Sequence, residues 1–288
     1  MPAPNTLPAL KALPALKALL APKTRPALNA SNPLTALTAL RTDRLRRRLA
    51  GAELPRHIGL IMDGNRRWAR ERGFADTRLG HHYGARHAGA VLGWCEALGV
   101  RHVTVFLCSA ENLRRRGDEE VAFLMRVIED VLARDLAGPR PRWRVHLAGD
   151  QSTLPESTAR ALAHAVAATA DCPTGAHLTL AVGYGGRQEL VSAVRGLLHA
   201  HADSGRPVRA LAEELSCEHI ARHLQTAGSP DPDLVIRTSG EQRMSNFLLW
   251  QSAYAELYFC DAYWPAFREL DFLRAVEAYT ARRRRYGG

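Results

Sequence analysis

Short apolar runs alternate with longer amphipathic segments along most of the chain. The runs predict strands at 57–62, 103–109, 143–148, 177–182 and 233–239, followed by two further apolar segments at 247–250 and 257–260. The longer segments predict helices at 80–98, 118–136, 154–170, 187–201, 208–225 and 269–285. Because strands separated by helices pair in parallel, we predict an α/β fold, a single domain with a mostly parallel six-stranded sheet flanked by helices.

Polar residues follow four of these strands at the carboxyl end, which is where sheets of this kind bind ligands. The four groups lie at 63–65, 109–112, 183–187 and 237–245. In the first group, Asp63 and Gly64 join the strand to a helix that begins with Arg66 and Arg67. Backbone N–H groups, guanidinium groups and a carboxylate at one point suit a diphosphate neutralised by a divalent cation. The simpler alternative is a strand-to-helix turn with Asp63 as the helix N-cap.

The stretch after the fifth predicted strand carries the sharpest pattern. Arg237 and Arg243 stand on either side of Gly240, and Ser245 follows them. Two guanidinium forks, a hydroxyl and backbone N–H groups freed by glycine can hold a pyrophosphate. The alternative is a surface loop with solvated charges, and the convergence of four strand ends on one rim argues against it.

Charge is concentrated at the start of the chain. The formal net charge is +10, but of the 39 basic and 29 acidic residues, nine and one lie within residues 1–50, which leaves 30 and 28 elsewhere. The body is therefore almost neutral, and it does not interleave aromatic and basic residues as single-strand nucleic-acid binders do. No nucleic acid is expected as a partner. The five cysteines are scattered without a C-x-x-C pair, which favours a reducing, cytoplasmic location.

Residues 1–40 differ in composition from the rest. They are rich in Pro, Ala and Leu, and the hexapeptide LPALKA occurs twice in succession. Recurring proline prevents a continuous helix, so we predict a disordered leader over 1–40, then a short basic helix over 41–50, which begins a folded domain spanning 41–288. An over-extended start codon and a peripheral membrane contact are the alternatives for the leader.

Four stretches together resemble the cis-prenyltransferase family, the Z-isoprenyl diphosphate synthases that include undecaprenyl diphosphate synthases. They read HIGLIMDGNRRWA, CSAENLRR, GYGGR and DLVIRTSGEQRMSNFLLWQSAYAELYF. The similarity extends from about Pro55 to Gly288, and the last stretch is long enough to be highly specific. The resemblance implies a transferase that joins isopentenyl diphosphate to an allylic diphosphate (dimethylallyl, geranyl or farnesyl), with Mg²⁺ as cofactor.

The resemblance also implies roles for particular residues. Asp63 would bind Mg²⁺ and, with Asn112, take part in catalysis, while Glu256 would complete the metal site, with a neighbouring subunit as its alternative source. The implied substrate-binding residues are Gly64, Asn65, Arg66, Arg67, Trp68, Arg78, His81, Ser109, Glu111, Arg115, Arg237, Arg243 and Ser245. Of these, the last three would bind the diphosphate of isopentenyl diphosphate, and Trp68 is also interpreted as a wall residue.

A mechanism follows from the implied charges. Mg²⁺ and arginines neutralise the diphosphate as its C–O bond breaks, and the double bond of isopentenyl diphosphate attacks the allylic carbon. A proton then leaves to give a cis double bond, with Asp63, Asn112 and a phosphate oxygen all open as its acceptor. The Asp-rich D-D-x-x-D motifs of trans-type synthases do not occur in this sequence.

The sequence departs from the family pattern at several positions. Arg66 stands where the family usually has Gly, and its guanidinium would contact phosphate or point to solvent. Arg78 and His81 are spaced one residue differently from the Arg and His that the family usually has after the first helix turn. Leu113 replaces a Trp, and Gln242 replaces a His beside the phosphate loop.

Leu107 replaces the Ala that long-chain members of the family usually carry. Because side chains alternate along a strand, Leu107 should face the same way as Ser109 and narrow the hydrophobic product tunnel. We therefore predict a short product of about three isoprene units, such as Z,E-farnesyl diphosphate, unless Leu107 simply packs against the following helix.

Three other interpretations are weighed against a short-chain synthase. A longer-chain polyprenyl diphosphate synthase would need an open tunnel, and irregular, head-to-middle coupling of two allylic diphosphates would need no isopentenyl diphosphate. A non-catalytic partner subunit is disfavoured because such subunits lose the aspartate of the first motif, and Asp63 is present. The C-terminal Arg285-Tyr286-Gly287 resembles an R-x-G ending that supports a homodimer.

Overall fold

The computed structural model describes residues 33–115, 117–132, 136 and 141–283. Six strands run within this part of the chain: β1 His57–Ile61, β2 His102–Ser109, β3 Arg144–Ala148, β4 His177–Tyr184, β5 Leu234–Arg237 and β6 Glu256–Phe259. The helices are α1 Pro33–Leu49, α2 Asn65–Glu71, α3 Leu79–Ala97, α4 Ala110–Arg115, α5 Asp118–Val131, α6 Glu156–Ala168, α7 Gly186–Asp203, α8 Val208–Glu214, α9 Cys217–Ala221 and α10 Glu269–Arg283.

All six strands are parallel and form one sheet in the order β3-β4-β2-β1-β5-β6. The chain leaves β1 toward β2 on one side and later returns to β5 on the other, so the strand order reverses between β1 and β5. Doubly wound sheets bind ligands at such a switch point, outside the carboxyl ends of the strands. The predicted fold class is confirmed, and the sheet is wholly rather than mostly parallel.

The two faces of the sheet bury different cores, as alternating side chains require. Ile58 and Leu60 belong to the larger core, to which α3, α5, α6 and α10 contribute buried residues. Ile61 and Val235 belong to a smaller core that includes Phe247 and Leu248. The sequence showed two apolar segments after the five predicted strands. The first of them, 247–250, is a turn that closes this smaller core and not a strand.

Two helix predictions need correction. The predicted helix over 208–225 is two helices, α8 and α9, because Leu215 is extended and Ser216 starts α9 with a capping box. The basic helix begins at Pro33 rather than at 41, since proline is tolerated in a first helical turn and the next one is Pro55.

The chain divides after Arg41, and the unit that begins at Thr42 contains the whole sheet. The predicted disordered leader lies mostly outside the described residues, so the division into leader and catalytic domain stays a prediction. Within the described part of the chain, no helix combines the length and apolar character needed to cross a membrane.

Candidate active site

Asp63 lies two residues beyond β1, at the carboxyl edge of the sheet. Its backbone is tied to β5, because its N–H donates to Thr238 Oγ1 (3.0 Å) and its carbonyl accepts from that hydroxyl (2.8 Å). Its carboxylate accepts from the Gly64 N–H at Oδ1 (2.6 Å) and from Arg237 at Oδ2 (2.7 Å). Asp63 is thus held by the two strands that flank the switch point.

Arg237 is the centre of the polar network. Although it is an arginine, its side chain is only 4% exposed. One terminal nitrogen donates to Asp63, and the other donates to the Arg243 carbonyl and to Ser245 Oγ, both at 2.6 Å. Its Nε is buried without a hydrogen-bond partner among the described residues. A single guanidinium therefore joins the two predicted diphosphate sites, which the sequence places more than 170 residues apart.

The turn after Asp63 is packed too closely for most side chains. Gly64 has a φ of 93°, and a Cβ there would lie 2.6 Å from Tyr263 Cδ1 and 2.8 Å from the Ser239 side chain. Gly84 of α3 lies even closer to the Asn65 side chain, with 2.1 Å between an added Cβ and Asn65 Oδ1. These contacts seat Asn65, whose Nδ2 also donates to the Met62 carbonyl.

The loop after β5 is strained as well as charged. Ser239, Ser245, Asn246 and Leu248 all have positive φ angles, between 42° and 81°. Non-glycine residues in this conformation cost of order 1–3 kcal/mol each and cluster at ligand sites. The same loop contacts the first motif, because Arg67 donates to Ser239 Oγ at 2.8 Å.

One acidic side chain of this loop, Glu241, pairs with two arginines of the site. Glu241 forms ion pairs with Arg67 (3.1 Å) and with Arg243. The hydrogen bond from Arg243, followed by its charge, lowers the pKa of Glu241, which keeps this carboxylate ionised. Both arginines are half-exposed, so an arriving diphosphate can replace Glu241 as their partner.

These residues border a cavity of about 380 Å³ between the sheet edge, α3 and α5. Twelve of the predicted site residues line it: Asp63, Gly64, Asn65, Arg66, Arg67, His81, Leu107, Ser109, Asn112, Arg237, Arg243 and Ser245. The other lining residues are mainly apolar and include Phe106 of β2, Ala85 of α3 and Leu124, Val127 and Ile128 of α5. One end of the cavity is thus polar and cationic, and the other is hydrocarbon-like.

Four predicted substrate-binding residues do not line the cavity. Trp68 packs its ring against Phe74 and Tyr83, which agrees with its interpretation as a wall residue. Arg78 pairs with Asp76 and Glu119, and Arg115 is exposed at the end of α4. Glu111 supports the loop after β5 instead, since its carboxylate accepts from Asn246 Nδ2 at 2.9 Å.

Glu256 is not brought to Asp63 within one chain. It pairs with Leu234 at the start of β5, whereas Arg237 pairs with Ile61 at the opposite end. Its carboxylate accepts from Arg282 at 2.7 Å. Within one chain, β6 thus presents Glu256 at the amino edge of the sheet, away from Asp63. A contribution from a second subunit stays a prediction.

Arg66 has a protein partner, and its expected contact with phosphate stays a prediction. Its guanidinium donates to Glu120 Oε2 on α5 at 2.8 Å, so it neither points freely to solvent nor stands without a partner. Sequence reasoning missed this contact because the partner lies 54 positions away and carries no motif.

Leu107 lines the cavity as expected, but strand alternation is not the reason. The pairing of β2 with β4 shifts register on both sides of Cys108, and the four consecutive residues 106–109 all border the cavity. A bulge turns successive side chains to the same side and bends the strand. The bulge places Cys108 on the larger core together with Leu107, whereas Phe106 packs on the smaller core, where its ring stacks on Phe247.

Four contributing residues were missed from the sequence. Thr238 and Ser239 lie inside the quoted fifth-strand stretch but were given no role. Gly80 and Gly84 were also passed over, although glycines four positions apart on a helix indicate close approach of another segment. Here that segment is Asn65, whose backbone oxygen would lie 2.1 Å from a Cβ at Gly80.

The side chains at this rim suit Mg²⁺ bound together with substrate phosphates. Among the described residues, no three acidic, histidine or cysteine side chains are grouped so as to hold a metal. Mg²⁺ is commonly bound by one or two carboxylates together with substrate phosphates and water. The half-exposed Asp63 carboxylate beside three cationic side chains fits that mode and does not fit a metal held by protein alone.

Fold and site together define a class: a parallel α/β enzyme with a cationic, carboxylate-bearing rim above an apolar cavity. Residues 61–287 match the family described as "Putative undecaprenyl diphosphate synthase". The chain belongs to this family, the cis-prenyltransferases, and is a transferase of prenyl groups.

Relatives span nearly the whole domain. An isoprenyl transferase of Streptomyces fradiae is 64% identical over 250 residues, which cover 86% of this chain and 96% of the relative. A (2Z,6E)-farnesyl diphosphate synthase of Mycolicibacterium smegmatis is 49% identical and covers 82% and 89% of the two chains. A crystal structure of lavandulyl diphosphate synthase from Lavandula x intermedia, in complex with dimethylallyl diphosphate, matches with a TM-score of 0.72 and 35% identity, over 79% and 95%.

Proposed function

We propose that the protein is a Mg²⁺-dependent, short-chain cis-prenyltransferase that condenses isopentenyl diphosphate with a short allylic diphosphate. The observation that carries this proposal is the buried Arg237, which joins Asp63 to Ser245 at the polar end of an otherwise apolar cavity. Two diphosphates and one hydrocarbon tail are the ligand set that such a cavity suits. Among the relatives, a (2Z,6E)-farnesyl diphosphate synthase and short-chain Z-isoprenyl diphosphate synthases support the product class.

The first motif would hold the allylic diphosphate. Asn65 and Arg67 offer hydrogen-bond donors at the cavity, and the Asp63 carboxylate would hold Mg²⁺ there. When bound, that ion would neutralise charge on the departing diphosphate. Arg237, Arg243 and Ser245 would hold the second diphosphate, that of isopentenyl diphosphate, close to the first.

Chemistry would occur where the polar and apolar ends of the cavity meet. The allylic C–O bond breaks with its electron pair leaving on the diphosphate, and the double bond of isopentenyl diphosphate forms the new C–C bond. The apolar wall formed by Phe106, Leu107 and α5 keeps water from the cation-like carbon. Asn112 and Ser109 line this junction, and loss of a proton completes the cis double bond. Asp63, Asn112 and phosphate oxygen are its candidate acceptors.

The cavity volume supports a short product. At about 380 Å³ it lies near the lower end of the range of about 300–1,000 Å³ that small-molecule sites span. The consecutive bulky residues Phe106 and Leu107 border it from one strand. We therefore place the product at about three isoprene units, with longer polyprenyl chains as the alternative.

A product assay tests this proposal. Purified protein is incubated with Mg²⁺, labelled isopentenyl diphosphate and dimethylallyl, geranyl or farnesyl diphosphate, and product length and double-bond geometry are determined. A short product with a new Z double bond is expected, and excess EDTA should abolish it. Product with only E double bonds, or activity unchanged by EDTA, would contradict the proposal.

A second candidate is irregular coupling of two allylic diphosphates. It is favoured by the similarity to the lavandulyl diphosphate synthase that holds dimethylallyl diphosphate. Dimethylallyl diphosphate as the sole substrate discriminates between the two, because regular condensation then gives no product.

Assembly and location complete the proposal. We place the enzyme in the cytoplasm as a homodimer, with peripheral membrane contact through the leader left to test. The edge strand β6 is only half-buried and Tyr254 beside it is 99% exposed, which supports a covering partner because unprotected strand edges favour association. Sedimentation of the full chain should give twice the monomer mass, and flotation with anionic vesicles tests membrane contact.

A further inference from the structure

Glu120, in the first turn of α5, contacts side chains from two other helices. Its Oε2 accepts from Arg66 of α2 at 2.8 Å, and its Oε1 lies 3.8 Å from Nε2 of His81 on α3. The Glu120 side chain is 17% exposed and that of His81 is 10% exposed, whereas Arg66 is 49% exposed, so the ion pair is only partly sheltered from water. The neighbouring Glu119 is 93% exposed and approaches Arg78 only at 3.4 Å.

Glu120 shares a helical face with the apolar wall of the cavity. Residues four, seven and eight positions further along a helix lie on the same side as the first residue. For Glu120 these are Leu124, Val127 and Ile128, and all three line the cavity. The ion pair with Arg66 therefore acts on the side of α5 that faces the substrate, at the end nearest the diphosphate-binding residues.

The opposite wall of the cavity is fixed. It consists of β2, which is hydrogen-bonded on both sides within the sheet. α5 is not part of the sheet and is held by side-chain packing, with Leu124, Val127 and Ile128 buried. The width of the apolar end consequently depends on how closely α5 is held to α2 and α3.

We propose that the Arg66–Glu120 ion pair, supported by His81, anchors α5 against α2 and α3 and thereby limits product length. We call this group the α5 anchor. Glu120 is then a positioning residue that acts through α5 and touches no reacting atom. The inference rests on the proposed short-chain activity and adds a second determinant of product length to the bulk of Leu107.

Glu120→Gln tests the anchor, with Glu119→Gln as its matched control. Each variant removes one carboxylate from the same helical turn without changing side-chain size, so effects on the helix dipole and net charge are shared. Partly exposed ion pairs contribute enough to change a conformational equilibrium by about 1.5- to 5-fold. We expect Glu120→Gln to raise the share of products beyond the main wild-type length by such a factor, and Glu119→Gln to leave the distribution unchanged.

Hydrogen exchange of the unliganded proteins supplies a readout that does not need activity. Backbone amides of α5 should exchange faster in Glu120→Gln than in Glu119→Gln, with β2 unaffected in both. Equal exchange in the two variants, or an unchanged product distribution in Glu120→Gln, would overturn the anchor. Wild-type protein that makes no Z-prenyl product would instead overturn the proposed function, while the exchange comparison would still decide whether α5 is anchored.

Discussion

Replacing Gly84 by alanine should impair the enzyme by displacing the Asn65 side chain. Gly84 lies within α3, where an alanine would normally stabilise the helix by up to about 1 kcal/mol. Here, however, the new Cβ would stand 2.1 Å from Asn65 Oδ1 and 2.9 Å from Trp264 Cδ1. Real Cβ contacts do not fall below 3.0 Å, so the Asn65 side chain must withdraw by about 0.9 Å, the difference between the two distances.

The size of the effect follows from that displacement. A shift of about 1 Å in a positioning group can reduce catalysis by about 100-fold, so we expect kcat/KM to fall by about 10- to 100-fold. Overpacking costs about 1–3 kcal/mol, and the gain in helix propensity offsets part of it. The free energy of unfolding should therefore fall by no more than about 2 kcal/mol, and the variant should remain folded.

Gly89→Ala is the control, because it makes the same change in the same helix. A Cβ at Gly89 meets no atom within 4 Å, so this variant should gain stability of up to about 1 kcal/mol and keep full activity. Steady-state kinetics with the allylic diphosphate and thermal melts measure both effects. If Gly84→Ala is folded and matches Gly89→Ala in kcat/KM, Asn65 does not hold the diphosphate as proposed.

Three further predictions concern the cavity and the sheet. Leu107→Ala should shift products to longer chains, and an unchanged product distribution would show that Leu107 does not limit product length. Asp63→Asn should lower kcat by about 100-fold or more while Arg237 keeps a hydrogen-bond acceptor, and near-normal turnover would exclude a metal-binding role. Burial and neighbouring histidines lower the pKa of His102 from 6.5 to about 4. The unfolded chain therefore binds the proton more readily, so the stability that neutral His102 contributes is complete above pH 6.5 and lost as pH falls toward 4. In urea melts, the free energy of unfolding should depend less on pH over this range in His102→Gln than in the wild type.

The fold was predictable because the parallel sheet is encoded locally. Strands such as His57–Ile61 are uninterrupted apolar runs, as burial on both faces demands. Gly99, with a φ of 76°, ends the pattern of α3 where a left-handed residue is required. The segment 247–250 shows where this reasoning fails. Phe247 and Leu248 are apolar because they are buried in a turn, and not because they belong to a strand.

The site was predictable only as far as motifs mark it. Asp63 and Arg237 are polar residues at the carboxyl ends of β1 and β5. Parallel pairing of these two strands is enough to bring the two residues together. The partner of Arg66 depends on how α5 packs across the cavity, which no local pattern records. The placement of Glu256 depends on the register of β6 against β5, which puts it at the far edge of the sheet.

The central claim is that one rim holds two diphosphates side by side, with a metal between Asp63 and the leaving group. A crystal structure of the protein with Mn²⁺, isopentenyl diphosphate and an unreactive thio-analogue of the allylic diphosphate tests it most directly. The account predicts an anomalous peak for Mn²⁺ joining the Asp63 carboxylate to the allylic diphosphate, and the second diphosphate on Arg237, Arg243 and Ser245. A metal located away from Asp63, or a second diphosphate bound elsewhere than beside Arg237, would contradict it.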